Sequence, residues 1–202
     1  MRALVLAGGT PVQLVLASTS VFRKATLERL QVPFETFAPD IDETPFTNET
    51  PDALVRRLSE GKAAVAQDKF PNSLVIGSDQ VSVLDGQIIG KPHTHENAIK
   101  QLRNASGRQV DFLTGLCVLN TATGQNQVDV VPFGVKFREL ADAQIETYLR
   151  KDQPYNSAGS FKSEGLGIAM FEQMQGDDPT ALIGLPLIRL TTMLQVEGFQ
   201  IL

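Results

Sequence analysis

The chain has 202 residues, a formal net charge of −5 and a single cysteine, Cys117. That length suits one domain, or two small lobes sharing a cleft, with a real core. The acidic balance argues against nucleic acid as a partner, so an anionic ligand would need a local basic pocket. A lone cysteine excludes an internal disulfide and fits a reducing compartment, and no apolar run approaches a membrane span.

The opening Met1-Arg2-Ala3-Leu4-Val5-Leu6-Ala7-Gly8-Gly9 has one basic residue and an apolar run too short for a secretory signal. Residues 1–12 read as an extension before a domain over 13–202, and the chain is expected to be cytoplasmic. Leu14–Ala17 predicts a core strand and Val21–Leu30 a helix. Phe34–Phe37 predicts a short strand entering the acidic loop Asp40-Ile41-Asp42-Glu43-Thr44-Pro45. Thr50-Pro51 starts a helix, with threonine as N-cap and proline at the first position. Its inner stripe is Leu54, Leu58 and Val65, with Lys62 on the same face. Leu74–Ile76 predicts a buried strand ended by Gly77-Ser78-Asp79-Gln80. Val81–Leu84 and Gln87–Ile89 form a hairpin around Asp85-Gly86.

Beyond Gly90-Lys91-Pro92 a helix is expected from Thr94 to Arg103. Two long β segments, Val110–Asn120 and Val128–Phe137, flank a Thr-Gly turn, and Cys117 in the first of them reads as core filler. A helix over Asp142–Arg150, a glycine-rich loop over Gly159–Gly167, a strand over Ile168–Phe171 and a helix over Pro186–Gln195 complete the chain. Asp177-Asp178-Pro179 reads as a turn, and His93 and His95 as solvated loop residues. Together these predict an α/β fold: a mixed, twisted sheet in two lobes with a deep central cleft.

The stretch from Leu14 to Lys24 carries the strongest chemical signal. A strand runs into Ser18-Thr19-Ser20, and a helix follows with Arg23 in its first turn. Free N–H groups and the helix dipole there suit an anion, and a guanidinium can fork onto phosphate oxygens. An ordinary β-turn-α connection with Ser20 as N-cap and a solvated Arg23 accounts for the same residues. Asp79, at a strand end, can hold a divalent metal or activate water, or simply cap its own turn. Lys62 on an apolar stripe needs an anion unless it snorkels to solvent. Lys91 is aimed by its flanking glycine and proline, and Glu43 adds a second carboxylate. Carboxylates mixed with cations are what a metal-dependent phosphoanhydride hydrolase requires.

Leu16-Ala17-Ser18-Thr19-Ser20-Val21-Phe22-Arg23-Lys24, Asp42-Glu43-Thr44-Pro45, Lys62-Ala63, Gly77-Ser78-Asp79-Gln80-Val81, Gly90-Lys91-Pro92 and Ser160-Phe161-Lys162-Ser163-Glu164-Gly165 stand in an order that resembles the Maf family of nucleoside triphosphate pyrophosphatases. The likeness runs from about Gln13 to the C-terminus. It implies a fold related to inosine triphosphate pyrophosphatases, a nucleoside triphosphate substrate, a Mg²⁺ or Mn²⁺ cofactor, and cleavage between the α- and β-phosphates. Neither nucleic acid nor membrane is implied as a partner, and a homodimer is left open. By the resemblance, Asp79 is the proton acceptor, and Ser18, Arg23, Lys62 and Lys91 surround the triphosphate, with both lysines in catalysis. Glu43 and Asp79 are the carboxylates near the metal. Phe22, Gln80 and Glu164 match the base-selecting positions, with Phe22 where tryptophan is frequent. Ser-Asp-Gln with a later Ser-Glu-Gly resembles the branch acting on 7-methyl-GTP. The alternatives are a dTTP/UTP or other noncanonical nucleotide pyrophosphatase, or a nucleotide-binding regulator of cell division.

Overall fold

The computed structural model describes residues 4, 5 and 11–202. Of the proposed extension, residues 1–3 and 6–10 therefore lie outside the described residues. In chain order the elements are β1 (Leu4–Val5), β2 (Pro11–Ala17), α1 (Val21–Glu28), β3 (Glu35–Phe37), α2 (Pro51–Ala64), β4 (Ser73–Leu84), β5 (Gln87–Ile89), α3 (His95–Ala105), β6 (Gln109–Asn120), β7 (Gln125–Phe137), α4 (Asp142–Asp152), β8 (Phe171–Gln175), α5 (Pro179–Ile183) and α6 (Leu187–Val196). No helix among the described residues is long and apolar enough to cross a membrane.

The strands form one mixed sheet in the order β1-β2-β4-β6-β7-β8, with β3 also beside β2 and β5 also beside β4. β2 runs parallel to β3 and β4, and the other pairings are antiparallel. Alternation assigns the faces. Leu14 and Leu16 of β2 join Leu27, Leu190, Met193 and Leu194 on one side, while Val15 and Ala17 join Ala63 and Cys117 on the other. The outer halves of β6 and β7 carry a separate core. There Phe112, Phe133 and Phe137 pack with Leu102 of α3, Leu149 of α4, and Phe161 and Phe171. Long strands thus run through two lobes, each with its own core. Cys117 is fully buried among apolar neighbours, and burial pushes its thiol up to about 12.

The predicted strand ending at Gly77 is corrected: β4 continues unbroken to Leu84, paired with β6 from Leu74 to Val83. Gly77 marks a close approach of two backbones instead of a turn. A Cβ there would overlap the Ser59 carbonyl oxygen and lie 2.9 Å from the Ala63 nitrogen, and one on Gly115 would overlap the Val55 carbonyl. Gly115 sits opposite Asp79 in the ladder, so the two glycines let α2 settle directly onto the sheet.

The edge of β4 facing β2 is split. Ser73–Gly77 have partners on β2 through Gln13–Ala17, and Ser82–Leu84 pair with β5. Ser78, Asp79, Gln80 and Val81 lie between these pairings, where β2 has already turned away into Ser18. Asp79 therefore faces a notch in the sheet between the lobes, a setting related to the crevices in which α/β proteins collect ligands.

Other differences are local. Val65 caps α2 and is exposed, because the helix ends one residue before it. The strand expected over Ile168–Phe171 is displaced to Phe171–Gln175, since Leu166–Met170 forms a 3-10 turn. A side chain on Gly167 would collide with the Lys162 carbonyl, so the chain folds tightly back here. The turn at Asp177-Asp178-Pro179 starts α5. His95 is half-buried rather than solvated, with Nδ1 2.9 Å from the Tyr155 hydroxyl and Nε2 2.8 Å from Glu146.

Replacing Gly77 by alanine should force α2 off the sheet. We expect Gly77→Ala to lose about 3 kcal/mol or more in chemical denaturation, at the upper end of overpacking costs. A loss under about 0.5 kcal/mol, the ordinary surface value, would contradict this contact.

Candidate active site

The notch opens into a cleft of about 510 Å³. Lining it are Ser18, Phe22, Arg23, Glu43, Lys62, Asp79, Gln80, Lys91 and Glu164, so every site residue anticipated from the sequence reaches one hollow. They arrive from several elements, with Phe22 and Arg23 together on α1 and Asp79 and Gln80 together on β4.

Ser18 follows the last residue of β2 and is nearly buried, and its hydroxyl accepts from the Ser20 N–H at 3.1 Å. Ser20 is the N-cap of α1, accepting from the Arg23 N–H at 3.3 Å. The capped turn presents the helix N-terminus to the cleft, where N–H groups lacking intrahelical partners favour an anion. Arg23 is half-buried, not solvated, and its Nε donates to the Gly184 carbonyl at 2.8 Å. Burial lowers the Arg23 pKa from its ordinary value, opposed by the charges of Asp79 and Glu43. A guanidinium always carries its proton in proteins, so this site holds a partly desolvated cation.

Lys62 occupies the centre. It is 6% exposed, and its ammonium lies 2.6 Å from Asp79 Oδ1 and 2.7 Å from Glu43 Oε1. Helix α2 supplies it from the turn after Leu58 and Ser59, so the apolar stripe carries the stem while the charged end passes into the cleft. The Asp79 side chain is nearly as enclosed, while Glu43 remains 58% exposed on its loop. The enclosed Lys62–Asp79 pair is stable only because its opposite charges compensate one another away from water, with the exposed Glu43 as a second partner for the ammonium.

The loop bearing Glu43 is held from outside the cleft. Arg57 donates to both Glu49 carboxylate oxygens, at 2.7 and 2.8 Å, and to the Thr44 carbonyl at 3.1 Å, and stacks 4.0 Å above the Phe46 ring. Bidentate pairing fixes direction as well as distance.

Gln80 presents only one end of its amide to the cleft. Its Nε2 donates to the carbonyls of Ala181 at 2.7 Å and Leu182 at 3.3 Å, and also to Thr114 Oγ1. Those carbonyls can only accept, which sets the amide orientation and leaves Oε1 as the group available to a ligand. Lys91 and Glu164 are both exposed, on loops at the rim. Phe22 is 38% exposed and offers an aromatic face.

Helix α5 and Gly184 were missed in the sequence, although Asp178, Pro179 and Gly184 spell an N-cap, a first-turn proline and a C-terminal glycine. Gly184 is left-handed, and its carbonyl also accepts from Ser78 Oγ at 3.0 Å. Buried Asp178 accepts from Thr180 N, from Thr180 Oγ1 and from Ile188 N, at 3.0, 2.6 and 2.8 Å, stapling α5 to α6. The carbonyls that orient Arg23, Ser78 and Gln80 therefore sit on a fixed support.

Among the described residues no group of three or more His, Cys, Asp or Glu side chains converges on a metal position. Two carboxylates already gathered around a cation are nonetheless a donor set that suits Mg²⁺ or Mn²⁺ with phosphate oxygens completing the shell.

The Maf-like protein family profile matches residues 13–197. The chain is 58% identical over 192 residues to a 7-methyl-GTP pyrophosphatase of Nitrosococcus oceani, covering 95% of this chain and 96% of that one. It is 54% identical over 189 residues to a 7-methyl-GTP pyrophosphatase of Pseudoalteromonas translucida, covering 94% of each. A looser likeness, with a TM-score of 0.40 and 15% identity, links 64% of the chain to 76% of a nucleoside-triphosphatase (dITP/XTP pyrophosphatase) of Mycobacterium abscessus.

Hydrogen bonds from Arg57 pull the Glu49 pKa from 4.5 down to about 2. A carboxylate whose folded value is depressed stabilises the fold fully above its unfolded value and loses that contribution as pH falls toward the folded one. Melting temperatures between pH 4.5 and 2 should therefore fall less steeply in Glu49→Gln than in the unaltered chain. Superimposable acid limbs would show that Arg57 does not hold this loop.

Proposed function

Because the chain belongs to the Maf family, we propose that it is a nucleoside triphosphate pyrophosphatase that hydrolyses 7-methyl-GTP to 7-methyl-GMP and pyrophosphate. The observation carrying this reading is the gathering of Ser18, Arg23, Lys62 and Lys91 around Asp79 in a single cleft, with Glu164 at its rim. Relatives of that name match this chain over nearly the whole of both sequences.

In this reading the triphosphate lies across the N-terminus of α1, with Arg23 and the two lysines balancing its charge. Asp79 takes a proton from the water that attacks the α-phosphorus. The bond from that phosphorus to the bridging oxygen breaks, and pyrophosphate leaves with its charge matched by the cations. Lys62, which touches both Asp79 and Glu43, sets the direction in which the Asp79 carboxylate faces. Glu43 and Asp79 are the residues that would hold Mg²⁺ or Mn²⁺, which when bound supplies Lewis-acid stabilisation of phosphate charge.

At the base end the available groups are acceptors: the Glu164 carboxylate and, once its amide nitrogen is committed, the Gln80 carbonyl. Guanine offers N1–H and N2 amino donors side by side, which one carboxylate can receive together. N7 methylation makes the base cationic, favouring an anionic neighbour and the Phe22 face, the latter by about 0.5–2 kcal/mol. Uracil and thymine would turn carbonyl oxygens toward these acceptors. The enzyme is proposed to act in the cytoplasm.

The test is pyrophosphate release from a nucleotide panel with Mg²⁺ or Mn²⁺. Turnover of 7-methyl-GTP should exceed that of UTP and dTTP by about tenfold or more, the net worth of about one hydrogen bond. Equal or better turnover of UTP would overturn the substrate assignment. Asp79→Asn should lower kcat by on the order of 10²–10⁴-fold, the usual worth of a general base; a variant retaining near-normal turnover would remove Asp79 from that role.

A further inference from the structure

Two rim segments of the cleft come from distant parts of the sequence, and one side chain outside the cleft joins them. Gly90-Lys91-Pro92 brings Lys91, and residues 156–164 bring Asn156, Ser157, Phe161 and Glu164. Gln101, on α3, donates from Nε2 to the Gly90 carbonyl at 3.1 Å, while its Oε1 accepts from the Ser160 hydroxyl. The Gly90 carbonyl can only accept, so Nε2 must face it, and Oε1 is the half left for the Ser160 hydroxyl.

Both segments are held in conformations the backbone does not choose unaided. Ser160 is fully buried with φ of 64°, next to Gly159 at 73°, and His93 after Lys91-Pro92 has φ of 60°. Left-handed non-glycine residues cost energy and persist where surroundings impose them. A second tie runs alongside, since the His93 N–H donates to the Tyr155 carbonyl at 3.0 Å and His95 meets the Tyr155 hydroxyl. On the other flank of Lys91, Asn97 Nδ2 donates to the Pro92 carbonyl at 3.1 Å.

We propose that Gln101 is a positioning residue that anchors both the phosphate lysine, Lys91, and the base-recognition segment ending at Glu164, each through its own hydrogen bond. It lies outside the cleft lining and acts only through Gly90 and Ser160. The proposal rests on the functional reading above, in which Lys91 faces phosphate and Glu164 faces the base. Its two arms can be cut separately. Gln101→Glu keeps an acceptor for Ser160 but loses the donor to Gly90. Ser160→Gly removes the hydroxyl, relieves the left-handed strain, and leaves the bond to Gly90. Gln101→Leu cuts both arms.

The experiment is calorimetric binding of inorganic pyrophosphate and of 7-methyl-GMP to each folded variant, with melting temperature recorded. Gln101→Glu should weaken pyrophosphate about fivefold and leave 7-methyl-GMP within twofold of the unaltered protein. Ser160→Gly should do the reverse, and Gln101→Leu should weaken both. Unchanged binding by Gln101→Leu would overturn this positioning role, as would equal losses of both probes in the two single-arm variants, which is what a merely structural role produces. If the unaltered protein binds neither probe, the proposed function fails along with the positioning role built on it. Normal binding by the unaltered protein with an indifferent Gln101→Leu sinks the positioning role alone.

Discussion

One buried ammonium organises this protein. Lys62 can meet both Asp79 and Glu43 only because α2 lies against the sheet closely enough to forbid a side chain at Gly77 and Gly115. An unpaired lysine so enclosed would be costly, and so would an unpaired Asp79. The energetics of the trio thus bind three regions into one arrangement: the helix, the middle of β4 and the loop after β3. Its functional consequence is a carboxylate held in a fixed direction beside cations suited to phosphate.

The architecture divides labour around that centre. The gap along β4, between its pairing with β2 and with β5, opens the cleft at Asp79 and Gln80 without breaking the strand. One lobe contributes the capped N-terminus of α1 and Arg23. The other contributes Lys91 and the segment bearing Glu164, backed by an aromatic cluster in which Phe161 contacts Phe137 and Phe171 edge to face. Helix α5 serves both ends through carbonyls alone, orienting Arg23 through Gly184 and Gln80 through Ala181 and Leu182. Main-chain acceptors on a short helix stapled at Asp178 are a rigid way to aim side chains that must not turn with the ligand.

Much of this was legible in the residues. Thr50-Pro51 and Asp85-Gly86 state a cap and a turn in local chemistry, and each stands where it is read, while Thr94, read as the first helical residue, caps the helix that starts at His95. The site residues were named because motif order tied them to a family, not because spacing placed them in one hollow. What stayed hidden was long-range. Glycine looks alike whether it ends a strand or admits a helix, so in sequence Gly77 reads as a terminus. Gln80 reads as a two-way amide until α5 occupies its nitrogen, and α5, with five residues, is too short to show a period. His95 was read as solvated because its partners, Glu146 and Tyr155, lie far along the chain.

Lys62 and Asp79 stabilise one another as a buried pair, and a double-mutant cycle measures that dependence. Unfolding free energies of the unaltered protein, Lys62→Met, Asp79→Asn and the double variant would be compared in denaturant. Lys62→Met strands the enclosed Asp79 carboxylate and should cost about 3 kcal/mol or more, whereas Asp79→Asn leaves the ammonium its Glu43 partner and should cost about 1–3 kcal/mol. The double variant should cost well under their sum, leaving a coupling of about 1–3 kcal/mol. Strictly additive losses would mean that the ammonium and the carboxylate do not depend on each other, and that Lys62 does not organise the cleft.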